Sequence, residues 1–234
     1  MHRYIFPRVF WFIEVFVKII YIPFDFKNVF MYNWIEYFIK FVGGYQMKLP
    51  IALSNRHIHL SQADIDVLFG EGHELTHFKP LSQPGQFACE EKVDLVGPKG
   101  TIKGVRVLGP ARPATQVEIS LTDGFALGVK APIRESGDVA GSPGLKLVGP
   151  KGEVEIAEGV IVASRHIHMS LEDAEKFGVK DKDIVSVRTS GPRALVFENV
   201  LVRASEKFAL EMHVDMEEGN AAGVRNGDLV ELIK

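Results

Sequence analysis

The sequence predicts a mainly β protein in which a small barrel- or sandwich-like unit occurs twice, each copy carrying a short capped helix. Three observations lead there. From residue 47 onward, apolar residues alternate in short runs separated by Gly and Pro. "KVDLVGPKGTIKGVRVLGP" and "LKLVGPKGEVEIAEGVIVAS" each read as strand, tight Gly-Pro-Lys-Gly turn, strand. The phrase "SNRHIHLS" at 54–61 returns as "ASRHIHMS" at 163–170, and "LVGPKG" occurs at both 95–100 and 147–152. Helix signals, finally, are few and brief.

The elements follow in order. Residues 1–46 hold sixteen of the twenty-three aromatics, including both tryptophans and all five tyrosines; the other 188 residues hold seven, all phenylalanine. That break marks a boundary. Arg8, Glu14, Lys18 and Asp25 interrupt the segment too often for a transmembrane helix, and it lacks the small-residue cleavage site of a secretory signal. It reads as an amphipathic docking helix, as a targeting peptide, or as no part of the natural protein. The last is preferred: Met47 offers a start just ahead of the first strand, and aromatic-rich, pattern-poor sequence is what translated upstream DNA would give.

Past the first histidine phrase, Ser61 is placed as an N-cap with Asp64 three residues on. Ile65, Leu68 and Phe69 then make one apolar face, and Gly70 ends the turn. Ser170, Asp173, Ala174, Phe177 and Gly178 repeat the plan one residue shorter. The unit written twice is therefore strand, His-x-His, capped helix, and duplication of a β-rich domain is the economical explanation. His73 and His77 stand among Gly and Pro and read as surface loop residues. Residues 124–144 read as a loop-rich connection between the halves, after which "DIVSVRTSGPRALVFENVLVRAS" and "GVRNGDLVELIK" continue the strand pattern.

Composition narrows the function classes. At 234 residues the chain can bury the core of one large domain or two small ones, and 46% apolar with 24% charged residues is ordinary for a globular fold. A net charge of −3 gives no basic face for nucleic acid. The single cysteine, Cys89, excludes an internal disulfide and fits a reducing cytoplasm. Its acidic neighbours in "FACEEKV" disfavour a thiolate, so Cys89 reads as structural.

The histidines carry the chemistry. Side chains alternate across a strand, so His57 and His59 share one face, and so do His166 and His168. Imidazole pairs at that spacing suit zinc. One pair alone is more often a half-exposed strand face; two pairs in duplicated contexts point to metal. Two histidines rarely complete a site, and His213 and Glu118 stand in strand-like runs, although neither is persuasive singly. On the residues alone, the chain reads as a zinc-dependent hydrolase or an acyl or phosphoryl enzyme.

"SNRHIHLS", "LSQPGQFACEEKVDLVGPKG", "RVLGPARPATQVEIS", "SRHIHMS" and "HVDMEEGNAAG" together resemble the phosphate propanoyltransferases, the PduL-type phosphotransacylases, from about Leu49 to the C-terminus. The resemblance implies acyl transfer between coenzyme A and inorganic phosphate. It implies two small β-barrels with short capping helices and an active site between them. The first barrel with the N-terminal strand would occupy 47–163, and the second, completed by that strand, 164–234. It implies two zinc ions, one on His57, His59 and Glu118, the other on His166, His168 and His213. Arg112 would hold phosphate as the catalytic arginine. Leu53, Ser54, Asn55, Lys99, Arg106 and Asn220 would contact coenzyme A. The resemblance further implies a homodimer, and some relatives carry a short N-terminal peptide that directs them into a bacterial microcompartment. The longer, more aromatic segment 1–46 departs from that pattern. The alternative function is a zinc-dependent thioester or phosphoester hydrolase, and a third reading is a non-enzymatic shell-associated or scaffold protein in which zinc staples the two barrels.

Overall fold

The computed structural model describes residues 47–233; the readings made of residues 1–46 lie outside them. The described chain is mainly β and forms two sheets. Strands β1 (Lys48–Ser54), β11 (His166–Met169), β12 (Ile184–Arg188), β13 (Val196–Ala204), β14 (Glu211–Asp215) and β15 (Leu229–Ile233) close into a barrel in the order β1-β14-β11-β13-β12-β15. The other sheet holds β2 (His57–His59), β4 (Phe87–Val96), β5 (Thr101–Gly109), β6 (Gln116–Glu118), β7 (Ile133–Arg134), β8 (Leu145–Val148), β9 (Glu153–Ile156) and β10 (Val160–Ala163), in the order β7-β10-β6-β2-β5-β4-β8-β9. Strand β3 (His77–Pro80) adds to β4. The two copies thus differ: the second closes, while the first is a half-barrel whose path ends at the two-residue β7 and at β9.

Each sheet has its own core. Leu49, Ile51, Ile167, Met169, Val202 and Met212 pack inside the barrel; Ile58, Leu95, Val107, Val117, Leu147 and Val160 pack under the half-barrel. Full burial of a side chain of this size contributes about 1.5–3 kcal/mol. The chain passes between the sheets twice in the stretches that bear the repeated phrase. Ser54 is in register with Asp215 of the barrel, yet His57, three residues on, faces Glu118 in the half-barrel. Ala163 is in register with Arg134 in the half-barrel, yet His166 faces His213 in the barrel.

Four helices follow four of these strands directly: α1 (Gln62–Phe69) after β2, α2 (Leu121–Leu127) after β6, α3 (Leu171–Phe177) after β11, and α4 (Met216–Ala222) after β14. Each starts at a residue whose side chain accepts from the backbone N–H three positions on: Ser61, Ser120, Ser170 and Asp215. Helices α1 and α3 stand where the sequence places them. Helix α2 overturns part of the loop expected over 124–144, and the rest of that stretch lies inside the half-barrel, leading to β7 and β8, not between the halves. His77 is likewise on β3 and not in a loop, and His73 is half-buried, with Nε2 bonded to Glu91 at 2.8 Å.

The repeated "LVGPKG" has one structural task in both places. Lys99 N–H donates to the carbonyl of Leu127 at the end of α2, and Lys151 N–H to that of Leu68 at the end of α1, each at 3.0 Å. Both turns thereby satisfy a helix C-terminus. Glycine is needed for the approach: a Cβ on Gly149 would stand 2.5 Å from the Leu68 carbonyl oxygen. Gly149→Ala is expected to lower stability by about 1–3 kcal/mol, as overpacking against an immovable backbone does; an unchanged midpoint in urea unfolding would contradict this docking.

Candidate active site

Strands β2 and β11 are buried at every position, and alternation divides their side chains. Ile58 and Ile167 enter the two cores, so the histidines on either side face the opposite way, toward a cleft of about 650 Å³ lined by both sheets. The third member of each group comes from the antiparallel neighbour. Glu118 on β6 is opposite His57, and His213 on β14 is opposite His166. The structure thus brings together His57, His59 and Glu118, and separately His166, His168 and His213, with one donor atom per residue and all within 4.8 Å of one another.

Hydrogen bonds fix how these donors are presented. Carbonyl oxygens only accept, so Nδ1–H of His57 donates to Asn55 (2.9 Å), that of His59 to Leu108 (3.2 Å) and that of His166 to Ser164 (2.8 Å). Their Nε2 lone pairs remain for a ligand. Asn55 and Ser164 are crossover residues, so the sheet change itself orients the first histidine of each pair. Nδ1 of His168 is buried without a hydrogen-bond partner, a cost that a metal at this group would offset. Glu118 accepts from Gln116 and Ser136 on Oε1, while Oε2 lies 3.4 Å from His57 Nε2. A tetrahedral ion with bonds of about 2.0–2.1 Å separates its ligands by about 3.4 Å, so this pair already has the required spacing.

Burial keeps most of the imidazoles neutral, the form that binds metal. It pushes His59 down to about 3, His166 to about 4 and His168 to about 2, with neighbouring histidines adding to the effect. Burial also opposes charge on His57 and Glu118, but their mutual attraction outweighs it. The His57 pKa is raised, and Glu118 is held well below the usual carboxylate range.

The arginine of each repeated phrase ties its crossover to a helix. Arg56 makes a two-pronged pair with Asp123 of α2 (both contacts 2.8 Å), and Arg165 lies 3.5 Å from Glu218 of α4. These helices follow β6 and β14, so each arginine links a histidine pair to the strand that supplies the third donor.

Arg112 lines the cleft, is half-buried, and its guanidinium makes no hydrogen bond or ion pair among the described residues; burial lowers its pKa from the ordinary arginine value. Leu53, Ser54, Asn55 and Arg106 also line the cleft, Arg106 stacking over Phe78 at 4.8 Å. Lys99 and Asn220 do not. Lys99 is held by its backbone over the end of α2, its side chain against Gly128, where a cation complements the helix terminus. Asn220 is exposed on α4. Sequence reading missed Arg203, which lines the cleft beside His168, and Lys79 on β3. It also missed Gln116 and Glu211, although each stands two residues before a third donor and so on the same strand face.

Two donor groups and a guanidinium with unused donors, facing one cleft, suit a substrate that is anionic. The chain belongs to the phosphate propanoyltransferase family, whose model matches residues 50–225, and is therefore an acyltransferase. It is 57% identical over 185 residues to the phosphate propanoyltransferase of Thermotoga maritima, covering 79% of this chain and 88% of that one. It is 53% identical to those of Listeria monocytogenes, over 80% of this chain and 87% of the relative, and of Clostridioides difficile, over 80% and 89%. No helix among the described residues is long and apolar enough to cross a membrane.

Cys89 is the remaining nucleophile to weigh. It is fully buried in the half-barrel core, and burial first, then the Glu91 carboxylate, pushes its thiol up to about 11. Such a thiol is inert. Iodoacetamide at neutral pH is expected to leave activity intact until the chain is unfolded, and rapid inactivation of the folded protein would contradict the assignment.

Proposed function

We propose that the chain transfers a propanoyl group, with acetyl as a second substrate, between coenzyme A and inorganic phosphate. The observation that carries this reading is Arg112: a half-buried fork of unused donors in the cleft of both donor groups. A guanidinium matches phosphate by two parallel hydrogen bonds. Arg112 holds phosphate with one oxygen directed at the thioester carbonyl carbon. That oxygen forms the new bond, the carbon–sulfur bond breaks with its electron pair on sulfur, and the phosphate proton neutralises the thiolate. Acyl phosphate and coenzyme A result, with no acyl-enzyme. Orientation and fixed charge supply most of the acceleration.

His57, His59 and Glu118 would hold one zinc ion and His166, His168 and His213 a second, on the donor chemistry and the orphaned His168 nitrogen. Zinc, when bound, supplies a Lewis acid beside the phosphate and the carbonyl. Leu53, Ser54, Asn55 and Arg106 line the cleft and would contact coenzyme A, with Lys79 and Arg203 as further cations for its phosphates. Lys99 and Asn220 remain coenzyme A contacts on the family resemblance alone. The same resemblance supports a homodimer, and the single cysteine a reducing cytoplasm; residues 1–46 depart from the relatives' short compartment-directing peptide, so no shell contact is assigned to them.

Free thiol released from propanoyl-CoA by the full chain is expected to require inorganic phosphate and to stop with a chelator. Release that ignores phosphate would make the protein a thioester hydrolase instead. Arg112→Ala is expected to raise the phosphate KM roughly 10- to 100-fold, matching about 1.5–3 kcal/mol of charged hydrogen bonding, with bound metal unchanged. A phosphate KM equal to that of the wild type would remove Arg112 from its role.

A further inference from the structure

The duplicated strands allow the surroundings of the two donor groups to be compared position by position. Gln116 lies opposite His59, and Glu211 lies opposite His168; each is two residues before the third donor of its group. Their hydrogen bonds run in opposite senses. Gln116 Nε2 donates to Glu118 Oε1 at 2.6 Å, whereas Glu211 Oε2 accepts from His213 Nε2 at 2.7 Å. A serine completes each contact: Ser136 donates to Glu118 Oε1 at 2.8 Å, and Ser82 donates to Glu211 Oε2. Each group therefore contains one carboxylate. In the first it is itself a donor; in the second it stands behind an imidazole.

We propose that Gln116 and Glu211 are positioning residues of matched, opposite polarity, each fixing the third metal ligand of its own group. The proposal rests on the two-metal reading above. An amide behind Glu118 holds one oxygen and leaves the other directed at the ion. A carboxylate behind His213 takes its Nε2–H, which reserves the Nδ1 lone pair and fixes the ring's orientation. The pairing also equalises charge, since a divalent ion in either group would be balanced by one nearby carboxylate. Exchanging the two residue types would set two carboxylates against each other on β6, where like charges repel, and leave a neutral amide behind His213 on β14.

The test is metal affinity in the full chain, read by chelator competition with Zn2+ and by the absorption spectrum with Co2+. Glu211→Gln is expected to weaken one of two sites about 10- to 100-fold and to alter one of two Co2+ signals, leaving the other as in the wild type. Gln116→Glu is expected to weaken the opposite site alone. Glu211→Asp, which keeps the charge, recovers part of the lost affinity and guards against a folding defect in the glutamine variant. Wild-type affinity at both sites in Glu211→Gln overturns the proposal, and so does an equal loss at both, because a general structural role would not choose one ion. A wild-type chain that takes up no metal overturns the two-metal reading and this proposal together.

Discussion

The site depends on the two places where the chain leaves one sheet for the other. A strand that has just crossed a seam must anchor itself in its new core, and in both cases the isoleucine between the two histidines does so first, Ile58 in one and Ile167 in the other. Alternation then leaves the flanking histidines no direction but the seam. The crossover carbonyls of Asn55 and Ser164 take Nδ1–H of the first histidine in each pair. Where the backbone must turn and what the imidazoles present are thus settled by the same few residues.

Everything gathered at that seam has a desolvation cost, and the arrangement answers it differently on each side. Three imidazoles, His166 among them, stay uncharged because burial is severe and neighbouring rings repel added charge. The His57–Glu118 pair goes the other way, each partner stabilising the charged form of the other. The first group therefore contains a charge-stabilised pair, while in the second His166 and His168 stay neutral and the carboxylate stands one residue pair further back. Arg112 adds a cation near the first group and Arg203 one near the second. The cleft is asymmetric although the strands that build it are duplicated.

Much of this was legible in the sequence, and the illegible parts have physical reasons. The strands with Gly-Pro-Lys-Gly turns and the helices begun by Ser61 and Ser170 were readable because their signals are local. Helix α2 was not, since a buried Gly124 and a length of seven residues hide it, although Ser120 and Asp123 repeat the capping spacing. The histidine pairs announced themselves by period and repetition. Glu118 and His213 did not, because a third ligand is specified by cross-strand register, which no local window contains. Lys99 shows the converse: the motif that carries it was readable, but its backbone serves a helix end, a task that only the fold reveals. That only the second copy closes fully also depends on strand pairing over long sequence distances.

The membership of β1 in the barrel affects how the chain is made. Among the described residues β1 is the first strand to be synthesised, and its partners β14 and β15 are the last, with Ile51 in register with Met212. A ribosome therefore exposes the apolar face of Leu49 and Ile51 long before anything can cover it. Joining such distant segments adds loop entropy that no local contact offsets, and a fold rich in such pairings forms slowly. The half-barrel has all its strands well before then, so the second donor group, and with it the finished cleft, comes into being only as the chain is released.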